Sequence, residues 1–486
     1  MLNDFLYKEI VNKLDFNPLK GQISLIQKLT DFVGSGNNSN EIFLLKGYAG
    51  TGKTSIIAAL VKALRKNNIK TVLTAPTGRA AKVLSKYAKK EAYTIHKKIY
   101  RQQSASDGFG KFVLDTNLHK STLFIIDEAS MIANQSYENA SFGSGKLLDD
   151  LIEYVYSGFS CKLILIGDTA QLPPVKLDIS PALEKETFKT YGYDIIEFEL
   201  KEVVRQKEKS GILYNATKLR KILEESEQYQ NNIIFKGFPK IKLSGFKDIN
   251  KITGTDLIEA VSDAYNKYSE QDTVIICRSN KRANKFNQGI RAQVHFKEDE
   301  ISSGDLIMIV KNNYFWAEDY DEIDFIANGD TAEVLRISNY TERYGYRFAD
   351  VTLKFFDYKD VEIQAKILID TLSSDTASLS YEENKKLYAK IEEDYLNIKN
   401  KRNRFKEIKK NPYFNALQIK FAYAITCHKA QGGQWKKVFI DQGWIKEEMI
   451  NKEFFRWLYT AFTRAENELS LINFNKDFFY KNEFYD

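Results

Sequence analysis

The eight residues from Gly47 to Thr54, "GYAGTGKT", fit the pattern G-x-x-x-x-G-K-[ST] and follow directly on the apolar run "EIFLLKG". A glycine-rich turn between a strand and a helix turns several backbone N–H groups toward one point, where the helix N-terminus adds positive potential. A phosphate is the natural occupant. The motif also constrains the fold, because its strand must belong to a sheet from which the helix can leave.

The flanking sequence supplies that sheet. "TVLTAP", "TLFIIDE", "KLILIGD" and "DIIEFEL" are short apolar runs that end near Leu200, with helical patterns beginning at Ser55 and near Gly78 between them. Unalternated runs of this kind predict a parallel sheet covered on both faces. A similar set returns later as "TVIICRS", "FAYAITC", "KVFIDQG" and "ELSLINF". Between the two sets the texture changes. "GDLIMIVKNNYFW", "NGDTAEVLRI" and "ADVTLKFFDYKDVEIQ" read as small antiparallel strands with Asn-Gly and Gly-Asp turns. The charged stretch "SYEENKKLYAKIEEDYLNIKNKRNRFKEIKK" then predicts a helix or helix pair with a solvated face. "YRQQSASDGFGKFVLDTNLHKS", Tyr100 to Ser121, is a polar insertion in the first set, and a loop of that length within a compact domain usually has a task.

At 486 residues the chain exceeds the size at which a single core stops growing, so several domains are expected. Its 71 basic residues nearly match 65 acidic ones, and the net charge of +6 permits a polyanionic partner without requiring one. Cys161, Cys277 and Cys427 form no metal or disulfide spacing, which points to a reducing compartment. The N-terminal "MLNDFLYKEIVNKLDF" interleaves charges with Leu2, Leu6, Ile10 and Leu14 at helical spacing and lacks the apolar run of a signal peptide. The expectation is a soluble, cytoplasmic protein without a membrane span.

The chemistry follows the motifs. Lys53 would neutralise the β- and γ-phosphates of a nucleotide and Thr54 would ligate Mg²⁺. Asp127 and Glu128 end a hydrophobic strand in "LFIIDEAS", where the aspartate holds the metal and the glutamate can activate water. "LILIGDTAQLPPV" adds Asp168 and Gln171, the latter able to sense a γ-phosphate or orient water. Arg205 in "ELKEVVRQ" and Arg464 in "WLYTAFTRAENELSL" could reach a nucleotide from a neighbouring domain and spread transition-state charge. A small-molecule kinase is a competing reading, but it gives no task to Arg464 or to the second α/β set.

In chain order stand Gln22 in "NPLKGQISLI", then "GYAGTGKT", "APTGRAAKVL", "TIHK", "IIDEAS", "GDTAQLPPV", "EVVRQ", "AITCHKAQG" and "YTAFTRA". This series resembles the superfamily 1B DNA helicases, specifically the RecD-like group and, in layout, the phage Dda type. The resemblance implies an α/β fold of two RecA-like P-loop domains with parallel sheets and ATP between them. Gln22 would read adenine, and Gly47, Gly50, Thr51, Gly52, Lys53, Thr54 and Ser55 would hold the nucleotide. Mg²⁺ would sit on Thr54 and Asp127. Lys53, Glu128, Gln171, Arg205 and Arg464 would be the catalytic set, with the two arginines as fingers. The first domain would comprise 1–98 and 121–200 around a pin insertion at 99–120. The second would comprise 201–302 and 413–486 around an SH3-like insertion with a helical extension at 303–412.

"TIHK" in the first domain and "TCHK" in the second echo each other. Pro76, Thr77, Thr94, His96 and Lys97, with Thr426, His428 and Lys429, are the expected contacts to a phosphodiester backbone, although His96 and His428 can equally be hydrogen-bonded structural histidines. Gln431 and Gly432 would relay between DNA and the ATP cleft. The implied activity is 5′→3′ translocation on single-stranded DNA with unwinding at single-strand/duplex junctions, by a monomer. Partners from replication or recombination, such as a single-stranded-DNA-binding protein, stay open. A translocase or protein-displacing remodeller that does not unwind shares every motif.

Overall fold

The computed structural model describes residues 2–36, 40–102, 112–135, 143–202, 209–228, 235, 237–320, 323, 325–356, 358 and 361–480. Both apolar sets become parallel sheets. The first has six strands in the order Ala92–Thr94, Lys70–Ala75, Thr122–Ile126, Lys162–Gly167, Glu41–Gly47, Asp194–Leu200. The central runs are buried along their length because helices cover both faces. One layer holds Leu25, Leu29, Ile57 and Leu60, and the other holds Leu148, Leu151 and Val155. The N-terminal helix, Leu2–Asn12, turns Leu6 and Ile10 into the first layer.

The second sheet runs Ala424–Thr426, Thr273–Cys277, Trp435–Asp441, Ala465–Ile472, Ile249–Ile252, again all parallel. In each sheet a three-residue edge strand ends in threonine and runs into a short helix, Ile95–Ile99 in one and Cys427–Ala430 in the other. The two T-x-H-K sequences therefore occupy matching places in the two folds. The strand beside each edge also ends in a helix cap. Thr77 Oγ1 accepts from Ala80 N at 3.2 Å, and Ser279 Oγ accepts from Arg282 N at 3.3 Å.

The intervening strands close into a five-stranded barrel of Leu306–Ile309, Thr331–Arg343, Tyr346–Phe355, Val361–Leu368 and Leu417–Phe421. Its last strand lies past residue 412, where the sequence reading ended the insertion. "LQIKF" leads straight into the second sheet, so sequence order hides its pairing with Leu306–Ile309 and Val361–Leu368. The charged stretch is a helix pair, Tyr381–Glu393 and Lys401–Lys409. It is more than a solvated face, since Leu387, Ile391 and Ile408 pack with Phe348 and Leu368 of the barrel in a small core. "NNYFW" is not a core strand. Phe315–Ala317 is a single 3₁₀ turn, and Trp316 donates from Nε1 to Asn415 O at 2.8 Å.

The polar insertion begins as a two-stranded antiparallel ribbon, Tyr100–Gln102 with Phe112–Leu114, and the residues between these strands lie outside the described ones. Phe112 rests on Tyr314 of the barrel with ring centroids 4.2 Å apart, and Tyr314 stacks on Phe325 at 5.0 Å. No described helix is long and apolar enough to cross a membrane.

The barrel is rooted on the second domain by Asp305, which is fully buried. Its carboxylate accepts from Arg291 Nε at 3.1 Å, Lys297 Nζ at 3.1 Å, Ser302 N at 2.7 Å and Tyr423 OH at 3.2 Å. Asp305→Ala leaves two cations without their counter-charge, and losing one partner of a buried pair costs about 3–5 kcal/mol. A lowered urea midpoint for barrel unfolding is expected, and an unchanged midpoint would show that the ion cluster contributes nothing net.

Candidate active site and nucleic-acid interface

The P-loop is built from its glycines. Gly50 and Gly52 have φ of +78° and +88°, and a Cβ on Gly52 would stand 2.7 Å from Gln22 Nε2. The helix after the loop is Lys53–Lys66, two residues earlier than its apolar pattern suggests, because Gly52 itself supplies the left-handed cap. The Lys53 ammonium donates to Gly47 O at 2.5 Å and to Tyr48 O at 2.9 Å, folded back over the loop. Thr54 and Ser55 follow in the first turn. Gln22 is buried, donating from Nε2 to Thr51 O at 2.8 Å while its Oε1 accepts from Leu19 N at 2.9 Å. Its amide therefore braces the loop directly.

Asp127 and Glu128 leave the end of the third strand of the sheet. Glu128 sits at φ +54°, an unfavourable conformation for a residue with a Cβ, and its N–H donates to Asp127 Oδ1 at 2.8 Å. Enclosure in the cleft pushes both carboxyls above the ordinary range. For Asp127 the Glu128 N–H and then the Lys53 ammonium oppose that push. For Glu128 the largest opposing influence is Arg464, while Asp127 and Asp168 add to the rise. Asp168 is buried and accepts from Ala170 N at 2.9 Å. Gln171 is buried, and among the described residues its Oε1 has no hydrogen-bond partner. A buried acceptor of this kind is one that a water or ligand donor would satisfy.

The second domain enters the cleft on one helix, Lys452–Phe462. Tyr459 donates to Asp168 Oδ2 at 2.7 Å and accepts from the P-loop amide Ala49 N at 2.9 Å. Thr460 Oγ1 accepts from Leu172 N at 2.9 Å, and the carbonyl of the same residue, Leu172 O, accepts from Gln431 Nε2 at 2.7 Å. Arg456 donates to Asp178 O. Positions 456, 459 and 460 are one turn apart, so one face carries all three. Just beyond the helix, the buried Arg464 guanidinium is aimed by Thr460 O (3.1 Å), Gly433 O (3.2 Å) and Thr463 Oγ1 (3.1 Å), and stands 3.9 Å from Glu128 Oε1. Arg205 lies outside the described residues. Sequence reasoning missed Tyr459 and Thr460, although both stand in the quoted "YTAFTRA".

A channel of about 1540 Å³ opens away from the P-loop, between the first domain, the barrel and the helix pair. Pro76, Thr77, Thr94, His96, His428 and Lys429 all line it. Lys97 and Thr426 adjoin these residues without lining it. Thr94 Oγ1 is a helix cap that accepts from Lys97 N at 3.1 Å. Burial pushes the His96 imidazole down to about 4, with Asp150 pulling the other way, and His428 is lowered by the same cause. Both rings are therefore neutral at physiological pH and can only hydrogen-bond. Enclosure also brings Lys429 down to about 8, and its ammonium donates to Asn328 Oδ1. Across the domain boundary, Gly432 at φ +72° packs so closely that a Cβ would stand 2.7 Å from Ala80 Cβ, and Arg79 stacks on Trp435 at 3.8 Å.

Fold and site together define a P-loop motor of two RecA-type sheets, with one nucleotide cleft between them and a separate channel across both. Comparison with known proteins agrees. Residues 21–231 match the model of an AAA domain, and residues 421–472 match that of the UvrD-like helicase C-terminal domain. The RecBCD enzyme subunit RecD of Buchnera aphidicola is 25% identical over 479 residues, spanning 91% of this chain and 72% of that protein. The ATP-dependent DNA helicase dda of Enterobacteria phage T4 is 26% identical over 268 residues, 54% of this chain and 55% of that one. Pif1 helicase from Bacteroides, solved with ADP-AlF3 and single-stranded DNA, overlays at a TM-score of 0.46 with 16% identity over 96% of this chain and 95% of that one, too distant to carry an argument. The chain is thus similar to RecD- and Dda-type helicases of superfamily 1B.

Tyr459→Phe leaves the Ala49 N–H and the Asp168 carboxylate each one partner short, a loss of about 1–3 kcal/mol for a buried polar group. A fall of several degrees in melting temperature is expected without nucleotide. A variant as stable as wild type would show that the hydroxyl does not join the domains in solution.

Proposed function

We propose that this chain is an ATP-driven DNA helicase that moves 5′→3′ on single-stranded DNA and separates the duplex ahead of it. The observation that carries this reading is the meeting of Arg464 with Glu128 across the cleft, 3.9 Å apart, while the channel residues come from both domains. A motor needs that arrangement, in which one nucleotide site changes the relation between two gripping surfaces. The mimicry of "TIHK" by "TCHK" at matching sheet edges gives each domain its own grip.

The residues of the first domain fit a Mg²⁺-nucleotide. Glycines with positive φ open the loop, Lys53 has donors to offer once it leaves the Gly47 and Tyr48 carbonyls, and Gln171 brings an unsatisfied acceptor. Thr54 and Asp127 would hold the Mg²⁺, which supplies charge neutralisation on the phosphate oxygens. Glu128 takes the proton of the attacking water, and Arg464 both spreads phosphate charge and opposes the upward push on the Glu128 carboxyl. Arg205 is the second finger in this reading. Gln22, which already braces the loop, reads the adenine edge. On the DNA side neutral histidines and lysines contact backbone rather than bases, so grip does not depend on sequence. The ribbon that begins at Tyr100–Gln102 and ends at Phe112–Leu114 acts as the pin, steadied by Phe112 against Tyr314.

Glu128→Gln keeps the cradle and removes the base. ATP binding should stay near wild type while kcat falls about 10²–10⁴-fold, the range for general-base catalysis. A wild-type kcat would remove Glu128 from the mechanism. Arg464→Ala should cost about 10³-fold or more in DNA-stimulated ATPase, as expected for an arginine finger. Loss of DNA affinity with retained turnover would assign Arg464 to the DNA track instead.

Polarity is tested on forked and tailed duplexes. Those with a 5′ single-stranded tail should be unwound and those with a 3′ tail should not. Preference for 3′ tails overturns the polarity. Movement along single strands with no strand separation on either substrate leaves the translocase reading.

A further inference from the structure

One wall of the channel is made by the barrel and the helix pair, and none of the sequence motifs falls on it. Lys311, just after the first barrel strand, and Asn384, in the helix Tyr381–Glu393, both line that wall. Lys311 donates from Nζ to Asn384 Oδ1 at 3.2 Å. The acceptor is fixed in place. The Asn384 amide nitrogen donates to Leu379 O and Ser380 O, each at 2.9 Å, and its Oδ1 also accepts from Gln418 Nε2 at 3.3 Å. Gln418 Oε1 in turn accepts from Leu379 N at 2.9 Å. Turning the amide would break several of these bonds, so its oxygen holds the lysine toward the channel.

Lys311 is exposed to the channel, and among the described residues no carboxylate pairs with it. The surrounding protein lowers its pKa with no acidic group opposing the shift. Lys429 repeats the arrangement, with a neutral amide, Asn328, as its acceptor. The two lysines are linked through the barrel loops, since Asn328 N donates to Asn312 Oδ1 at 2.7 Å, next in sequence to Lys311. Nearby Lys410 is different, because Glu407 Oε1 neutralises it at 3.0 Å. A confined ammonium that leans on a neutral amide has much to gain from an anion, since charge-assisted hydrogen bonds are roughly twice as strong as neutral ones.

We propose that Lys311, set in place by Asn384, is a phosphate site on the barrel wall of the channel and grips the backbone of the same single strand that Lys429 holds. The inference rests on the helicase reading and deepens it: the strand is contacted by the barrel as well as by the two motor domains.

The test measures binding of a fluorescent oligo(dT) to the full chain across a salt series. Each phosphate contact contributes about 0.7 to the slope of log K against log salt on single strands. Lys311→Ala should lower the slope by about that amount, Lys311→Arg should restore it, and Lys311→Ala with Lys429→Ala should lower it by about twice as much. Lys185→Ala, on an exposed helix of the first domain, is the control and should keep the wild-type slope. A second arm replaces one phosphate at a time by a neutral methylphosphonate. At one linkage the replacement should weaken wild type and leave Lys311→Ala unaffected.

If wild type binds but Lys311→Ala has the same slope, or no linkage behaves non-additively, the Lys311 site is wrong and the helicase reading stands. If wild type binds no oligo(dT) at any salt, the helicase reading itself fails.

Discussion

The Tyr459 hydroxyl is the point on which the rest of the structure turns. It donates to Asp168, accepts from the P-loop amide of Ala49, and belongs to the other domain. A buried polar network of this kind is strong when complete and costly when any member leaves. The placement of the second sheet and the electrostatics of the nucleotide cleft are therefore one problem. The same holds for Glu128, whose carboxyl is pushed up by enclosure and held down chiefly by Arg464. Its basicity depends on where the second domain stands.

The two sheets share an architecture but differ in what they can bind. Trp435–Asp441 holds the place in the second sheet that Thr122–Ile126 holds in the first; the one ends at Asp441 and the other runs straight into Asp127. In the first sheet the aspartate faces Lys53. In the second, Asp441 is closed off by Arg282, which donates at 2.8 Å and 2.5 Å in a two-pronged pair. An aspartate satisfied by its own domain has little capacity left for a metal. The duplicated edge strands, by contrast, keep their T-x-H-K ends turned to a common side. One nucleotide cleft and two channel-facing edges follow from a single architecture used twice.

Much of this was legible in the sequence. The P-loop, the Asp127–Glu128 pair and the two parallel sheets are local patterns, since a glycine-rich turn or a buried strand announces itself within ten residues or so. What was hidden depends on partners far along the chain. "LQIKF" reads as the start of the second sheet, and only its pairing with Leu306–Ile309 makes it a barrel strand. Tyr459 and Thr460 look like ordinary helix residues until the fold carries them 410 and 288 positions away, to Ala49 and Leu172. Lys311 carries no signal at all in sequence. Its character comes from standing on the channel wall with only an amide to lean on. The start of the P-loop helix was misjudged for the opposite reason: apolar spacing begins late, whereas the left-handed Gly52 sets the boundary by backbone geometry.

The distance over which cleft and channel must communicate is short. Leu172 is held at both its amide and its carbonyl by Thr460 and Gln431 of the second domain. Gln431 follows the helix Cys427–Ala430, whose His428 and Lys429 line the channel. A helix of this size spans about 6 Å at roughly 1.5 Å per residue, and it has no internal hinge. A shift of the second domain that disturbs the Leu172 clamp must therefore carry His428 and Lys429 with it. Coupling claims need a physical element that both sites bias, and here that element is one short helix tied at one end to the nucleotide cleft. Lys429 in turn leans on Asn328, so the barrel wall lies one hydrogen bond further along the same line. Nucleotide cleft, channel-lining helix and barrel are thus joined through direct contacts, with no long pathway required.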